Sequence, residues 1–405
     1  MERNIYKKRR DALFKQLPKD SVAIIPSLSG NPENQPYDAS FYYLTGLMLN
    51  NAILVMTKEK SVEKETIYRM KIDPVLSLWV CSPPPDDELR AKSGIKDLKD
   101  FSLDALLDTL YNEAAKGMKD FYLHYTPKKP NLPSSLSQAL VEKIRRYLPH
   151  INLIWLSPII YELRRVKTPQ EVTLFKEAIR ITKNAIVNVF SRRSIYQNEC
   201  QVYADYSASL INELNRKSGF NVIVAAGKNA TILHYDNNNS PIHNNSMVLI
   251  DAGCDYEGYN SDITRCFPRG KLFPAKAKHI YEAVLTAQEL IIKSIKPGVS
   301  LQEINDNAKD IIFRVYKDAR IVKTLDELSK VYYHGASHYL GLEVHDVGIR
   351  SRLLKPGCVL TVEPGCYVEK LGIGIRIEDD ILVTSSGYEN LSFSIPKKIK
   401  EIEAL

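Results

Sequence analysis

Between Val331 and Asp379 the chain sets ionisable side chains beside and inside apolar runs that read as buried strands, and this stretch most constrains how it can fold. It holds His334-Gly335-Ala336-Ser337-His338, then His345-Asp346, Thr361-Val362-Glu363-Pro364-Gly365 and Gly374-Ile375-Arg376-Ile377-Glu378-Asp379. Burying an ionised carboxylate costs several kcal/mol unless a cation or hydrogen bonds compensate it. Glu363 and Glu378 therefore call for positive charge between the strands that carry them.

The same pattern occurs upstream. Asp251 ends the apolar run Met247-Val248-Leu249-Ile250, and Asp262 follows in Tyr259-Asn260-Ser261-Asp262-Ile263-Thr264-Arg265 after a turn at Glu257-Gly258. A hairpin of that span can put both carboxylates on one face, because strand side chains alternate with period two. Taken singly, each aspartate reads equally well as a turn former or a surface acid. Together with His338, Glu363 and Glu378 they make four carboxylates and one imidazole on apolar segments. If they converge, mutual repulsion raises their pKa values unless a cation intervenes. Two divalent ions would supply that charge. Oxygen-rich ligation with one histidine suits manganese, cobalt or zinc rather than a thiolate-bound structural zinc, and a two-metal site favours hydrolysis. The HxxxH spacing of His334 and His338 is weak by itself, since the mononuclear zinc motif needs a glutamate after the first histidine and position 335 is glycine.

The chain's 405 residues suffice for two cores, and a net charge of +7 is small for that length. Basic residues are scattered apart from 7–10 and 397–400, so no nucleic-acid footprint is expected. No stretch approaches the ~20 apolar residues of a membrane span, and the charged N-terminus lacks a signal-peptide core. The expectation is a cytoplasmic protein binding neither membrane nor nucleic acid. Its six cysteines form no close pair and read as reduced and structural.

Along residues 1–158 the pattern predicts an α/β domain. Its elements are a helix over 4–17, a strand over 21–25, a loop over 30–37, an aromatic strand Phe41-Tyr42-Tyr43-Leu44 and a strand over 52–56. A helix behind Ser102 that stops at Gly117, a strand over 121–123, a helix through Leu136, Leu140, Ile144 and Tyr147, and a strand over 151–155 follow. A second domain over 164–405 opens at Thr168-Pro169-Gln170-Glu171, a capping box with proline at the first helical position. Two helices, the second running through Val202, Leu210, Ile211 and Leu214 to Gly219, precede strands at 222–224, 247–250 and 259–267. A helix over 274–295, a second capped at Ser300-Leu301-Gln302-Glu303, and the strands carrying Glu363 and Glu378 repeat that order. The repetition suggests a pseudo-two-fold domain with its chemistry at the centre.

With these segments in view, the chain resembles the pita-bread metallopeptidases, and within them Xaa-Pro aminopeptidase (aminopeptidase P). The likeness rests on Ile232-Leu233-His234-Tyr235, Leu249-Ile250-Asp251-Ala252-Gly253, the Asp262 segment, His334 to His338 with Leu342-Glu343-Val344-His345-Asp346-Val347-Gly348, and the Glu363 and Glu378 segments. It extends through Tyr37-Asp38-Ala39-Ser40-Phe41-Tyr42-Tyr43-Leu44-Thr45-Gly46 in a creatinase/prolidase-like N-terminal domain. The resemblance implies Asp251, Asp262, His338, Glu363 and Glu378 as ligands of two divalent ions, foremost manganese, with Asp262 and Glu378 bridging. It makes Glu363 the general base and gives His234 and His345 the substrate site and the tetrahedral intermediate, with His334 nearby. Arg376 would fix a ligand carboxylate, and Tyr367, Arg350 and Asp38 match positions around the pocket. Only Ile349 separates Gly348 from Arg350, so this loop is shorter than in the best-known enzymes of the family. The implied activity is removal of the N-terminal residue from peptides with proline second, by a homo-oligomer, either dimer or tetramer. Prolidase, cleaving Xaa-Pro dipeptides, shares the ligands and the two-domain plan. A methionine aminopeptidase lacks so large an N-terminal domain, and an intact ligand set argues against both a ligand-free binding module and a metal-independent amidinohydrolase.

Overall fold

The computed structural model describes residues 4–27, 37–71, 75, 78–79, 84–125, 136–213 and 216–405. The expected loop at 30–36 and Leu214 lie outside them. The chain divides into two compact units, Met1–Arg164 and Arg165–Leu405.

The first unit is a six-stranded sheet, β1 (Ser21–Ser27), β2 (Ala52–Glu59), β3 (Val62–Arg69), β4 (Asp97–Asp100), β5 (Asp120–Leu123) and β6 (Asn152–Trp155), in the order β4-β3-β2-β1-β5-β6. Helices α1 (Asn4–Gln16), α2 (Ala39–Thr45), α3 (Asp86–Ser93), α4 (Leu103–Ala115), α5 (Leu136–Tyr147) and α6 (Ser157–Arg165) accompany it, the last running to the division between the units. β1 is central and buried throughout, which its unbroken apolar run foretells. Ser102 caps α4 by accepting from the Ala105 amide.

One expected strand is a helix. Phe41-Tyr42-Tyr43-Leu44 lies within α2, whose N-terminus is capped by Asp38 accepting from the Ser40 and Phe41 amides. Gly46 closes it in the left-handed conformation, φ 73°. Every residue of α2 is buried, so no polar face marks the helical period, and aromatic composition alone mimics a strand.

In the second unit, α7 (Pro169–Ser191) and α8 (Glu199–Asn212) precede β7 (Ile223–Ala226), β8 (Met247–Ala252), β9 (Asp255–Tyr256), β10 (Tyr259–Asn260) and β11 (Ile263–Pro268). Then α9 (Ala275–Lys293), α10 (Leu301–Asp318) and α11 (Leu325–Ser329) precede β12 (Val359–Val362), β13 (Gly365–Val368), β14 (Ile373–Arg376), β15 (Asp379–Val383) and β16 (Tyr388–Asn390), with α12 (Ile399–Glu403) last. The sheets are β11-β8-β7 and β12-β15-β16, with two-stranded ribbons β10-β9 and β13-β14. Each half thus runs from a long helix pair into a three-stranded sheet. Both capping boxes read from the sequence form: Thr168 with Glu171 opens α7, and Ser300 with Glu303 opens α10. The apolar faces of α7 (Phe175, Ile179, Ile186, Val189) and α9 (Ile280, Val284, Ile291) are buried.

Among the described residues no helix is long and apolar enough to cross a membrane, and Cys200, Cys254, Cys266, Cys358 and Cys366 are unpaired. Cys81 lies outside the described residues.

Candidate metal centre

The acids meet because strand ends deliver them. β11 pairs with β8 so that Thr264 lies opposite Asp251, and Asp262 is the residue immediately before β11. Gly253 permits the close turn between them, since a Cβ there would lie 1.8 Å from the Ser261 carbonyl oxygen. Glu363 is the first residue beyond β12, and its amide donates to the Ala336 carbonyl at 2.8 Å. Beside it the Thr361 amide donates to the His338 carbonyl at 3.0 Å, which lays the histidine segment along β12.

Arg376 and Glu378 come together by a route other than strand alternation. β14, which ends at Arg376, pairs with β13, whereas β15, which begins at Asp379, pairs with β12. Glu378 is therefore at the point where the chain changes sheets. Gln288 of α9 binds both ligand-bearing strands there, its Nε2 donating to the carbonyls of Val362 (3.3 Å) and Ile377 (3.2 Å). These are the residues immediately before Glu363 and Glu378.

One donor atom each from Asp262, His338 and Glu378 lie within 4.8 Å of one another. His338 Nε2 is 3.4 Å from Asp262 Oδ2 and 3.5 Å from Glu363 Oε1. His338 Nδ1 donates to the Tyr339 carbonyl at 3.0 Å, which leaves the Nε2 lone pair facing the acids. Thr264 and Arg376 brace the others. Thr264 Oγ1 donates to Glu378 Oε2 at 2.6 Å and accepts from Arg376 Nε at 3.1 Å, while Arg376 donates to Asp251 Oδ2 at 2.6 Å. The Asp262 amide donates to Asp380 Oδ2 at 3.2 Å. Behind the cluster Arg265 pairs with Asp379 at 2.7 Å, both side chains fully buried, and donates to the Glu378 carbonyl.

The cluster carries more negative charge than its own cations relieve. Burial and then the neighbouring charge of Asp251 push Asp262 well up, and burial and then Asp262 do the same to Glu378. Burial raises Glu363 as well, against the lowering influence of His338 and Arg376. Among the described residues, no hydrogen-bond donor meets the buried Asp251 Oδ1. An acceptor-only oxygen beside over-crowded carboxylates and an exposed imidazole lone pair is the donor set of a divalent metal site.

The remaining residues singled out in the sequence have these places. His334 donates from Nδ1 to the Gly335 carbonyl and accepts at Nε2 from the Tyr367 hydroxyl at 2.8 Å, and Arg376 donates to that hydroxyl at 3.2 Å. A continuous chain, Asp251 to Arg376 to Tyr367 to His334, results. Burial, then the Arg376 charge, lowers His334 to about 4. The His345 ring stands edge-on to His338 at 4.4 Å, and partial burial followed by the His338 charge lowers His345 to about 4, so the His334 and His345 imidazoles are neutral at pH 7. His234 is exposed, and its charge is felt by His334 and His345. Arg350 is exposed, its charge bears on His345, and its carbonyl accepts from the Gln302 amide. Asp38 belongs to the first unit, where besides capping α2 it lies 3.3 Å from His124 Nε2.

Sequence reasoning missed Thr264, Gln288, Arg265 and Asp380. Thr264 follows Asp262 by two residues in the same segment, and that closeness was the signal that could have found it. Gln288 leaves no sequence signal, because it is a polar residue on a helix whose partners are backbone carbonyls.

A two-unit α/β chain whose second unit gathers buried carboxylates and a histidine around a metal position is a metallohydrolase by fold and site. The chain belongs to metallopeptidase family M24: that family's model matches residues 173–385, and the model for the aminopeptidase P N-terminal domain matches residues 6–119. It is 32 % identical to the Xaa-Pro aminopeptidase of Escherichia coli, over 100 % of this chain and 98 % of that protein. Xaa-Pro aminopeptidase 3 of Rattus norvegicus is 31 % identical over 91 % of this chain and 76 % of its own. The solved structure of E. coli aminopeptidase P with the inhibitor Pro-Leu matches with TM-score 0.87 at 31 % identity, covering 100 % of this chain and 98 % of that one. A zinc-substituted form of the same enzyme in complex with product has TM-score 0.85 at 30 % identity, with the same coverage.

Proposed function

We propose that the chain is a dinuclear Xaa-Pro aminopeptidase, removing the N-terminal residue from peptides whose second residue is proline. The observation that carries this is the approach of Asp262, His338 and Glu378 to within 4.8 Å in a chain matched end to end by such enzymes. Prolyl bonds need a dedicated enzyme because the imide nitrogen has no hydrogen and the ring restricts the backbone on both sides.

In this reading Asp251, Asp262, His338, Glu363 and Glu378 would hold two divalent ions. The oxygen-rich set with one imidazole favours manganese, with cobalt or zinc as alternatives. Bound there, the ions supply Lewis acidity that polarises the scissile carbonyl and acidifies water. Glu363 takes the proton of the attacking water and passes it to the departing proline nitrogen. His345, neutral at pH 7, and His234 donate hydrogen bonds to the carbonyl oxygen as it gains charge. Arg376 keeps Asp251 in place, and through Tyr367 it orients His334 toward the substrate; Arg350 occupies a position around the pocket. The family resemblance further suggests a cytoplasmic homo-oligomer.

Manganese-loaded protein should release the first residue of an Xaa-Pro tripeptide and lose that activity on chelation. Turnover of Xaa-Pro dipeptides in preference to tripeptides would make it a prolidase. Tripeptide turnover indifferent to chelation would overturn the metal reading.

A further inference from the structure

Glu199, the first residue of α8, has a fully buried side chain that no lysine, arginine or histidine among the described residues pairs with. A carboxylate in that position is tolerated only where hydrogen bonds replace its hydration. Four do so, and all come from one segment of chain. Oε1 accepts from the Ala226 amide at 2.7 Å and from Asn229 Nδ2 at 3.0 Å. Oε2 accepts from the Tyr235 hydroxyl at 2.8 Å and from the Ser240 amide at 2.8 Å. Both oxygens are filled, one by the start of the 226–240 loop and the other by its middle and end. Asn229 also donates to the Tyr235 hydroxyl at 3.0 Å. The carboxylate lies at the N-terminus of α8, where the helix dipole favours negative charge.

The loop so gathered carries His234, whose neighbour Tyr235 is buried and bonded directly to Glu199. Among the described residues no hydrogen bond holds the exposed His234 ring itself. Its placement depends on the backbone beneath it, which Glu199 grips at 226, 229, 235 and 240, while Asn238 ties to Val222 and Val224, Asn198 to the Asn239 carbonyl and Tyr333 to the Thr231 carbonyl.

We propose that Glu199 is a positioning residue for His234, gripping the 226–240 loop so that the imidazole keeps its place in the substrate site while substrate binds. The proposal rests on the reading of His234 as a substrate-site group. Glu199→Gln preserves shape but replaces one acceptor oxygen with an NH₂, so two of the four donors lose their partner. Tyr235→Phe removes one donor and leaves the other three hydrogen bonds, a milder change should Glu199→Gln fold poorly.

The test is a double-mutant cycle on kcat/KM for an Xaa-Pro tripeptide, made with manganese-loaded protein and with bound metal measured for every variant. Misplacing a reacting group by about 1 Å costs on the order of a hundredfold. Glu199→Gln should therefore lose tenfold or more, expressed in kcat with metal content unchanged, and Tyr235→Phe should lose less. In a His234→Ala background the same substitutions should change kcat/KM by less than about twofold, since the group they position is gone. Equal losses in both backgrounds would show a general structural role and overturn the proposal while leaving His234's own role intact. Full activity of His234→Ala alone would remove that underlying reading, and the proposal with it.

Discussion

Lys167→Met should destabilise the second unit severely. Lys167 Nζ lies 3.0 Å from Asp346 Oδ2, and each side chain is only 1 % exposed. Lys167 stands just before α7, tied through its amide to the Gly357 carbonyl at 2.9 Å, while Asp346 follows His345 and its amide donates to the Tyr339 carbonyl at 2.9 Å. The pair therefore joins the opening of the domain to the loop that bears a candidate substrate histidine. Methionine fills the space of the lysine stem but takes this cation away from a buried carboxylate. Breaking one side of such a pair costs about 3–5 kcal/mol, and a domain of 150–250 residues loses roughly 2–4 °C of melting temperature per kcal/mol. Residues 165–405 should thus melt roughly 6–20 °C lower by scanning calorimetry. The double variant Lys167→Met/Asp346→Leu should recover at least half of that loss, because it removes the buried carboxylate together with the cation it pairs with. A Lys167→Met midpoint within about 1 °C of the parent would refute the idea that this ion pair is a structural necessity.

Glu363→Gln should lower kcat by at least the 10²–10⁴ typical of a lost general base, whereas Glu343→Gln, next to the same motif, should retain most activity; equal losses measured on a tripeptide would show that the roles are misassigned. Asp38 gives a pH signature. Burial by itself would raise its pKa, but His124 and the Phe41 amide outweigh it and hold the carboxyl below its ordinary value. A depressed pKa in the folded state stabilises above the unfolded pKa and is lost as pH falls through the folded one. Asp38→Asn should therefore weaken the first unit at pH 7, with the difference from the parent shrinking in acid. Both tryptophans, Trp79 and Trp155, belong to that unit, so their fluorescence during urea unfolding is the assay. A gap that stays constant from pH 7 to pH 3 would contradict the assigned shift.

The helix starts of the second unit were legible because capping is local: Thr168 with Glu171, and Ser300 with Glu303, satisfy amides three residues away. The carboxylates were legible because acids beside apolar strands are costly wherever the strands go. What failed was inference from composition without periodicity, as in α2, where total burial erased the amphipathic pattern. Arg376 and Glu378 show a subtler limit. Counting two residues along a strand would put them on a shared face, but the chain changes sheets between them, and Thr264 makes the connection. Lys167 and Gln288 could not be foreseen, since their partners lie 179 and at least 74 residues away in sequence and nothing local marks the pairing.

The most direct test of the central claim is the metal content of purified protein that has been stripped, reloaded with manganese and desalted. Two ions per chain are predicted, falling in both Asp262→Asn and Glu378→Gln. A parent protein that binds no manganese, or variants that keep the full complement, would contradict a buried acid cluster built around paired cations.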